Sequence, residues 1–301
     1  MICTLELSYH RGLAENHQLQ FYDIAQALWG FERTITLTTH LLLNGKVITQ
    51  SPSARGFHVL ATPPEAGSWK MNAVLGLGTT IGAFGLAPPD TQFGWLAKSA
   101  VEYVIQEALG FTPDFDETLG SQIRSYRGST DLRSLPDDLS QTRFDSVIEK
   151  CEGGLRAMHR PIVYSGSAEI AQIGYQIGGS SGRLGGYFDS HTNDYISQTV
   201  TSEDIEEFCG SISSYNINTF RGRIYFPDQK RTVPFELSPE VQTIRSIGRI
   251  TESLRSNAIA ERPRGNNGAP DICLMGFRNE TSTGRLKKIY VTSVNAVDGP
   301  D

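Results

Sequence analysis

Cys209-Gly210-Ser211-Ile212-Ser213-Ser214-Tyr215, Phe220-Arg221-Gly222-Arg223-Ile224-Tyr225-Phe226 and Thr232-Val233-Pro234-Phe235-Glu236-Leu237 follow one another in the last third of the chain, and their reading decides the fold. Their β-branched and aromatic content is that of strands. The segments between them, Asn216-Ile217-Asn218-Thr219 and Pro227-Asp228-Gln229-Lys230, have turn composition. Pro234 has no N–H to give to a ladder, so the third strand is expected at an edge or with its donor-free side outward. Ser238 and Pro239 suit a helix start, and Val241, Ile244, Ile247, Ile250 and Leu254 then recur at three- and four-residue spacing. After a polar stretch at 262–268, Ile272-Cys273-Leu274-Met275-Gly276-Phe277 and Leu286-Lys287-Lys288-Ile289-Tyr290-Val291 read as a hairpin whose turn contains Gly284. Strand, strand, strand, helix, strand, strand is the order of a five-stranded OB-like β-barrel, whose open face commonly takes oligonucleotides or oligosaccharides.

Charge changes at the same place. Residues 208–301 hold 13 Lys and Arg against 9 Asp and Glu, whereas the rest of the chain holds 14 against 24. A basic segment attached to an acidic one hints at an anionic partner for the basic part.

The chain has 301 residues and 39% apolar content, enough for substantial cores in two domains. The expected division is 1–190, an α+β domain with a helical middle, and 191–301, the barrel domain; the fold class is α+β. Cys3, Cys151, Cys209 and Cys273 show no CxxC or Cys/His spacing, and no cofactor or metal motif is present. With no basic, apolar, small-residue leader pattern at the amino terminus, the expectation is a reducing cytoplasm. Residues 71–89 carry no charge, but four glycines, two threonines and Pro88-Pro89 argue for a buried strand and loop and against a membrane span.

At the front, Ile2-Cys3-Thr4-Leu5-Glu6-Leu7-Ser8-Tyr9 alternates as a strand. Asp23 opens a helix with Ile24, Ala27, Leu28, Phe31 and Ile35 on one side, ending near Asn44-Gly45. Phe57 to Thr62 and Ser68 to Leu75 read as an antiparallel pair. Helices follow over residues 95–109 and 116–126 and from Thr142, whose hydroxyl and Asp145 resemble a capping box. Gly153-Gly154 lies inside that last helix, at about 1 kcal/mol per glycine, and is expected to bend it. Residues 170–177 form a strand, and the glycine-rich run 178–186 is expected to be a flexible connection.

Phe21-Tyr22-Asp23-Ile24-Ala25-Gln26-Ala27-Leu28-Trp29-Gly30-Phe31, Gly67-Ser68-Trp69, Arg143 to Glu152, Met158-His159-Arg160-Pro161-Ile162 and Asn216 to Leu237 resemble an uncharacterised family of bacterial two-domain proteins. The resemblance implies an α/β amino-terminal domain, a small carboxy-terminal β-barrel and a bacterial cytoplasmic setting. It implies no activity.

The chemistry is weighed residue by residue. Gly178-Gly179-Ser180-Ser181-Gly182-Arg183 could cradle phosphate but lacks the Gly-Lys-Ser/Thr ending of a P-loop. His159, with Asp145 on the preceding helix, is the one acid–base candidate. A histidine beside Arg160 at a helix carboxyl end equally serves the helix dipole. On the second barrel strand Arg221, Arg223 and Tyr225 share one face, a combination that can track a nucleic-acid backbone and stack its bases, and Arg278, Arg285 and Lys287 extend it. These six residues are the expected nucleic-acid-binding set. The reading is thus a non-enzymatic binding or assembly protein whose barrel takes nucleic acid or nucleotide. The alternatives are a protein-docking module, or homo-oligomer, and a hydrolase with an interdomain site built on His159, Asp145 and the glycine-rich run 178–186.

Overall fold

The computed structural model describes residues 3–62, 69–78, 91–111, 113, 115–128, 134–137, 139–197, 200–227, 231–259, 271–280 and 286–296. The chain divides into two compact units, Met1–Ser197 and Gln198–Asp301.

In the first unit β1 (Cys3–His10) alternates as its sequence implies, burying Leu5, Leu7 and Tyr9. The helix α1 (Phe21–Asn44) starts where the Gln20 side chain accepts the Asp23 N–H at 2.8 Å, and ends on Gly45, whose left-handed φ of 65° lets its N–H reach the Leu41 carbonyl. Strands β2 (Phe57–Thr62) and β3 (Lys70–Leu77) pair antiparallel. Next come α2 (Thr91–Ala108), a π turn at Asp116–Gly120 with α3 (Ser121–Arg127), α4 (Gln141–Met158), α5 (Arg160–Val163), β4 (Ile170–Ile177), β5 (Ser180–Arg183) and α6 (Ser190–Ser197).

The sheet order is β2-β3-β1-β4-β5, antiparallel throughout. Its first four strands have the split β-α-β arrangement, in which β1 and the strand after α1 are separated by β3. One face is covered: Phe31 and Ile35 of α1, Val101 and Val104 of α2, and Phe144, Val147 and Leu155 of α4 share a single core with Leu5, Leu7 and Tyr9. Burying each such side chain contributes about 1.5–3 kcal/mol.

Two local expectations change here. The N-cap of α4 is Ser140, without a side-chain cap bond, two residues before the expected start at Thr142; the helix is continuous through Gly153 and Gly154. The run 178–186 is no linker: Gly178 and Gly179, at φ of 53° and 87°, make the tight turn of the β4–β5 hairpin.

The second unit contains β6 (Val200–Asn216), β7 (Arg221–Phe226), β8 (Arg231–Leu237), α7 (Ile244–Ile259), β9 (Ile272–Glu280) and β10 (Leu286–Ala296). Its strands form a closed hydrogen-bonded ring, β10-β8-β7-β6-β9, in which only β8 and β10 run parallel. Inside lie Ile212, Ile224, Val233, Phe235, Leu274, Ile289 and Val291. The ring is tight: a Cβ on Gly222 would fall 2.5 Å from the Phe235 ring. Strand β8 is not an edge. Pro234 precedes Phe235, where the parallel ladder to β10 begins, so its missing donor breaks nothing.

The expected helix start at Ser238 yields only a 3-10 turn at Pro239–Val241, and α7 begins at Ile244. That helix completes one end of the ring. Beyond Gly210, β6 has left β9, and its exposed edge is taken up by α7: the Ile212 N–H donates to Ser253 Oγ at 2.9 Å and its carbonyl accepts from Asn257 at 2.9 Å. Cys209 and Cys273, directly opposed on β6 and β9 with 4.1 Å between Cα atoms, form a disulfide, which their scattered spacing in the sequence concealed. Cys3 and Cys151 are free and buried. Among the described residues no helix is long and apolar enough to cross a membrane; of residues 71–89, residues 71–77 lie in β3 and 79–89 lie outside the described residues.

Candidate functional site

The outer surface of β7, β8 and β10 carries the expected binding stripe, and the register places its members. Arg221 stands opposite Glu236, Arg223 opposite Pro234 and Tyr225 opposite Thr232. Arg221 Nε donates to Glu236 Oε2 at 3.2 Å, and Lys288 Nζ donates to the same oxygen from β10. Burial alone would raise the Glu236 carboxyl, but the hydrogen bond and charge of Lys288, then those of Arg221, outweigh it and hold the pKa below the usual carboxylate value. The carboxylate therefore stays charged and ties both cations down.

The other members are also committed. Arg223 is 9% exposed, with Nη1 donating toward Thr232 Oγ1 at 3.4 Å. Arg278 lies on β9, in ion pairs with Glu280 at 3.1 Å and Glu206 at 3.5 Å. Tyr225 and Lys287 are half-buried, and Arg285 lies outside the described residues. The face is a balanced lattice of charge. Counted over the whole unit from Gln198, and not from Phe208, Glu203, Asp204, Glu206 and Glu207 are included and the unit holds 13 basic and 13 acidic side chains, so its basic excess disappears.

His159 is fully buried. Its Nδ1 donates to the Leu155 carbonyl at 2.8 Å, which leaves Nε2 to accept from Thr192 Oγ1 at 3.0 Å, and its ring packs edge-on against Phe188. Burial pushes its pKa down to about 4, against smaller opposing contributions from the Leu155 carbonyl and Asp189. Asp145 is likewise buried, at 1% exposure. A neutral histidine with both nitrogens engaged and no route to solvent fastens α4 to α6; it is not placed to exchange protons with a substrate.

Two family models match the chain, one described as a domain of unknown function (DUF7946) over residues 5–197 and one as a family of unknown function (DUF7947) over residues 204–295. The chain belongs to the DUF7946 family. No curated protein and no solved structure matches it. The two matched segments flank the division between the compact units, so the resemblance to an uncharacterised two-part family holds at that level.

Within the DUF7947 segment the sequence reading missed Glu236 and Lys288, which decide the electrostatics of the face. Alternation along β8 pointed Glu236 outward beside Arg221 once the register was known. Lys288 becomes its partner only through the parallel β8–β10 pairing, a contact between strands separated by a helix and a hairpin. Glu207, Cys209 and Cys273 also bring their ligand atoms within 4.8 Å of one another, but with both sulfurs in the disulfide no thiolate is available to a metal.

Proposed function

We propose that the carboxy-terminal unit is an OB-type barrel that serves as a protein-docking module, and that the protein works by binding and assembly. The ring order supports the fold reading: in the unit's own numbering it is 1-2-3-5-4, closed on itself, with the third and fifth strands parallel and the helix between the third and fourth. The observation that carries the docking reading is Glu236 held between Arg221 and Lys288. A surface of alternating, mutually oriented charges suits the polar rim of a protein interface, whereas a phosphate backbone is drawn to cations free to replace its counterions. The nucleic-acid reading rests on Arg221, half exposed on its strand with Tyr225 two residues away. The cytoplasmic and bacterial setting is part of the same proposal.

Fluorescence anisotropy with single- and double-stranded DNA and RNA across a salt series separates the two. Docking predicts weak binding with a shallow salt slope, together with a protein partner captured by wild type and lost with Arg221→Glu. Tight binding to any of the nucleic acids, falling steeply with salt, would transfer the assignment to nucleic acid.

A further inference from the structure

The face of the amino-terminal sheet opposite its helices carries a second set of polar groups. Because β1 buries Leu5, Leu7 and Tyr9 on the helical side, Glu6, Ser8 and His10 stand on the other. Register extends this set across the sheet. Lys70 of β3 and Gln172 of β4 flank Ser8, and Gly174 of β4 lies between Glu6 and Arg183 of β5. The β4–β5 turn is what brings Arg183 here. Gly174 has no side chain, so a gap is left between the Glu6 and Arg183 positions, and a Cβ there would make only ordinary contacts at 3.5 and 3.7 Å.

The hydrogen bonds leave specific donors open. Ser8 Oγ donates to the Gln172 carbonyl at 3.2 Å, so its oxygen accepts from His10 Nε2 at 3.1 Å. That assigns the Nε2 proton and leaves His10 Nδ1 without a hydrogen-bond partner among the described residues. Lys70 is held at 3.1 Å by Glu6. Arg183 is exposed and has no ion-pair partner among the described residues. The charged groups facing His10 are Glu6 on its own strand, Lys70 from β3 and Arg183 from β5, with the mutually neutralising Arg11–Glu169 pair beside them at 3.2 Å.

We propose that this face binds a dianionic tetrahedral oxyanion, the phosphate of a small metabolite or free phosphate, through Arg183, Lys70 and protonated His10. The charge fits: Lys70 and Arg183 against Glu6 leave one positive charge, and protonating His10 makes two. The placement fits too. A guanidinium, an ammonium and an imidazole stand on three different strands of one face, and a tetrahedral anion takes donors from several sides, whereas a planar carboxylate is satisfied by one guanidinium alone. In the free protein His10 is held below the ordinary histidine pKa, by burial first and then by Arg183 and Lys70, with Glu6 opposing. Binding a dianion reverses that repulsion, so anion uptake carries a proton with it and weakens as pH rises.

Isothermal titration of the full chain with inorganic phosphate, sulfate and glycerol 3-phosphate tests the site. Saturable binding in the low-millimolar range or tighter is expected. Arg183→Ala should weaken it about ten- to hundredfold, the loss of one charge-assisted contact, and Glu6→Gln should strengthen it by removing a like charge. Sulfate keeps its charge between pH 5 and 8. Its affinity should therefore fall across that range in wild type and stay level in His10→Gln. Glycerol 3-phosphate binding at least as tightly as phosphate assigns the site to esters; its rejection assigns it to the free ion. Arg183 is exposed on an edge strand, so its variant folds, as an unchanged thermal melt will verify. No saturable binding by wild type, or an Arg183→Ala protein that binds as tightly as wild type, would overturn the proposal.

Discussion

Gly30 of α1 and Gly154 of α4 meet backbone to backbone: a Cβ built on Gly30 would lie 2.1 Å from the Gly154 carbonyl oxygen. The two helices approach this closely because neither residue has a side chain at the crossing, and the obstructing atoms are main-chain atoms that no rotamer change can move. Gly153, one residue earlier, is exposed with nothing within 4 Å of its would-be Cβ. The neighbouring glycines should therefore respond with opposite signs. Gly153→Ala is expected to stabilise by about 0.5–1 kcal/mol through helix propensity, and Gly30→Ala to destabilise by about 1–3 kcal/mol or more through overpacking. Urea denaturation of both variants checks this, and equal shifts would refute the crossing.

That pair also shows where sequence reasoning stops. Helix spacing located α1 and α4, strand alternation located β1 and β4, and the order of elements over residues 208–297 anticipated every strand of the closed ring. Each of those signals is local. Two adjacent glycines inside an amphipathic pattern carry only a propensity penalty, and nothing local says which one touches Gly30. The Glu236–Lys288 contact and the Cys209–Cys273 bond were hidden for the same reason, since their partners are set by register between strands distant in sequence. The first stretch of β6 was missed on other grounds: Glu203-Asp204-Ile205-Glu206-Glu207 is too acidic to look like a strand, and it is one because β9 pairs with β6 at Val200 and Thr201 and, past a bulge, again from Ile205 onward.

The disulfide joins residues 64 apart, across the β6–β9 ladder that helps close the ring. Closing a loop of that length restricts the unfolded chain by about 4 kcal/mol on a chain-entropy argument, an upper figure where the native strands already hold the two ends together. Cys209→Ser with Cys273→Ser should therefore lower the thermal midpoint of the second unit, and a reductant should do the same to wild type. Cys3 and Cys151 are buried, with thiol pKa values pushed up to about 12 by burial, so they should resist thiol reagents in the folded protein. Alkylation counting by mass spectrometry, with and without prior reduction, reads both expectations at once.

Glu236→Gln removes the carboxylate that Arg221 and Lys288 share. Two cations are then freed on one face, so any nucleic-acid affinity should rise and its salt slope steepen relative to wild type. Stability should respond only above the acid range. Because the Glu236 pKa is lowered in the folded protein, its contribution is present above the ordinary carboxylate pKa and is lost as pH falls through the lowered value. Wild type and variant should therefore differ at neutral pH and converge in acid. Anisotropy and pH-dependent melts on the same two proteins test both consequences, and a variant with unchanged salt slope would show that Arg221 and Lys288 are not restrained by Glu236.

His159 should make the first unit acid-sensitive. Its folded pKa, about 4, lies below the ordinary histidine value of 6.5, so the unfolded chain binds the proton more readily. Stability is complete above about pH 6.5 and declines as pH falls toward 4, below which both states are protonated. A difference of this size corresponds to about 3 kcal/mol over the whole window. Protonation also reverses the Thr192 contact: Nε2–H donates to the hydroxyl oxygen, whose own proton turns to Asp189. His159→Gln cannot titrate. It should cost about 1–3 kcal/mol at pH 7.5 through lost packing against Phe188 and the disturbed bond to Leu155, yet lose less stability than wild type on acidification. The measurement is the thermal midpoint of both proteins from pH 7.5 down to pH 4.5. A gap that narrows with acid supports the buried neutral histidine; parallel curves would mean that His159 does not set the acid response.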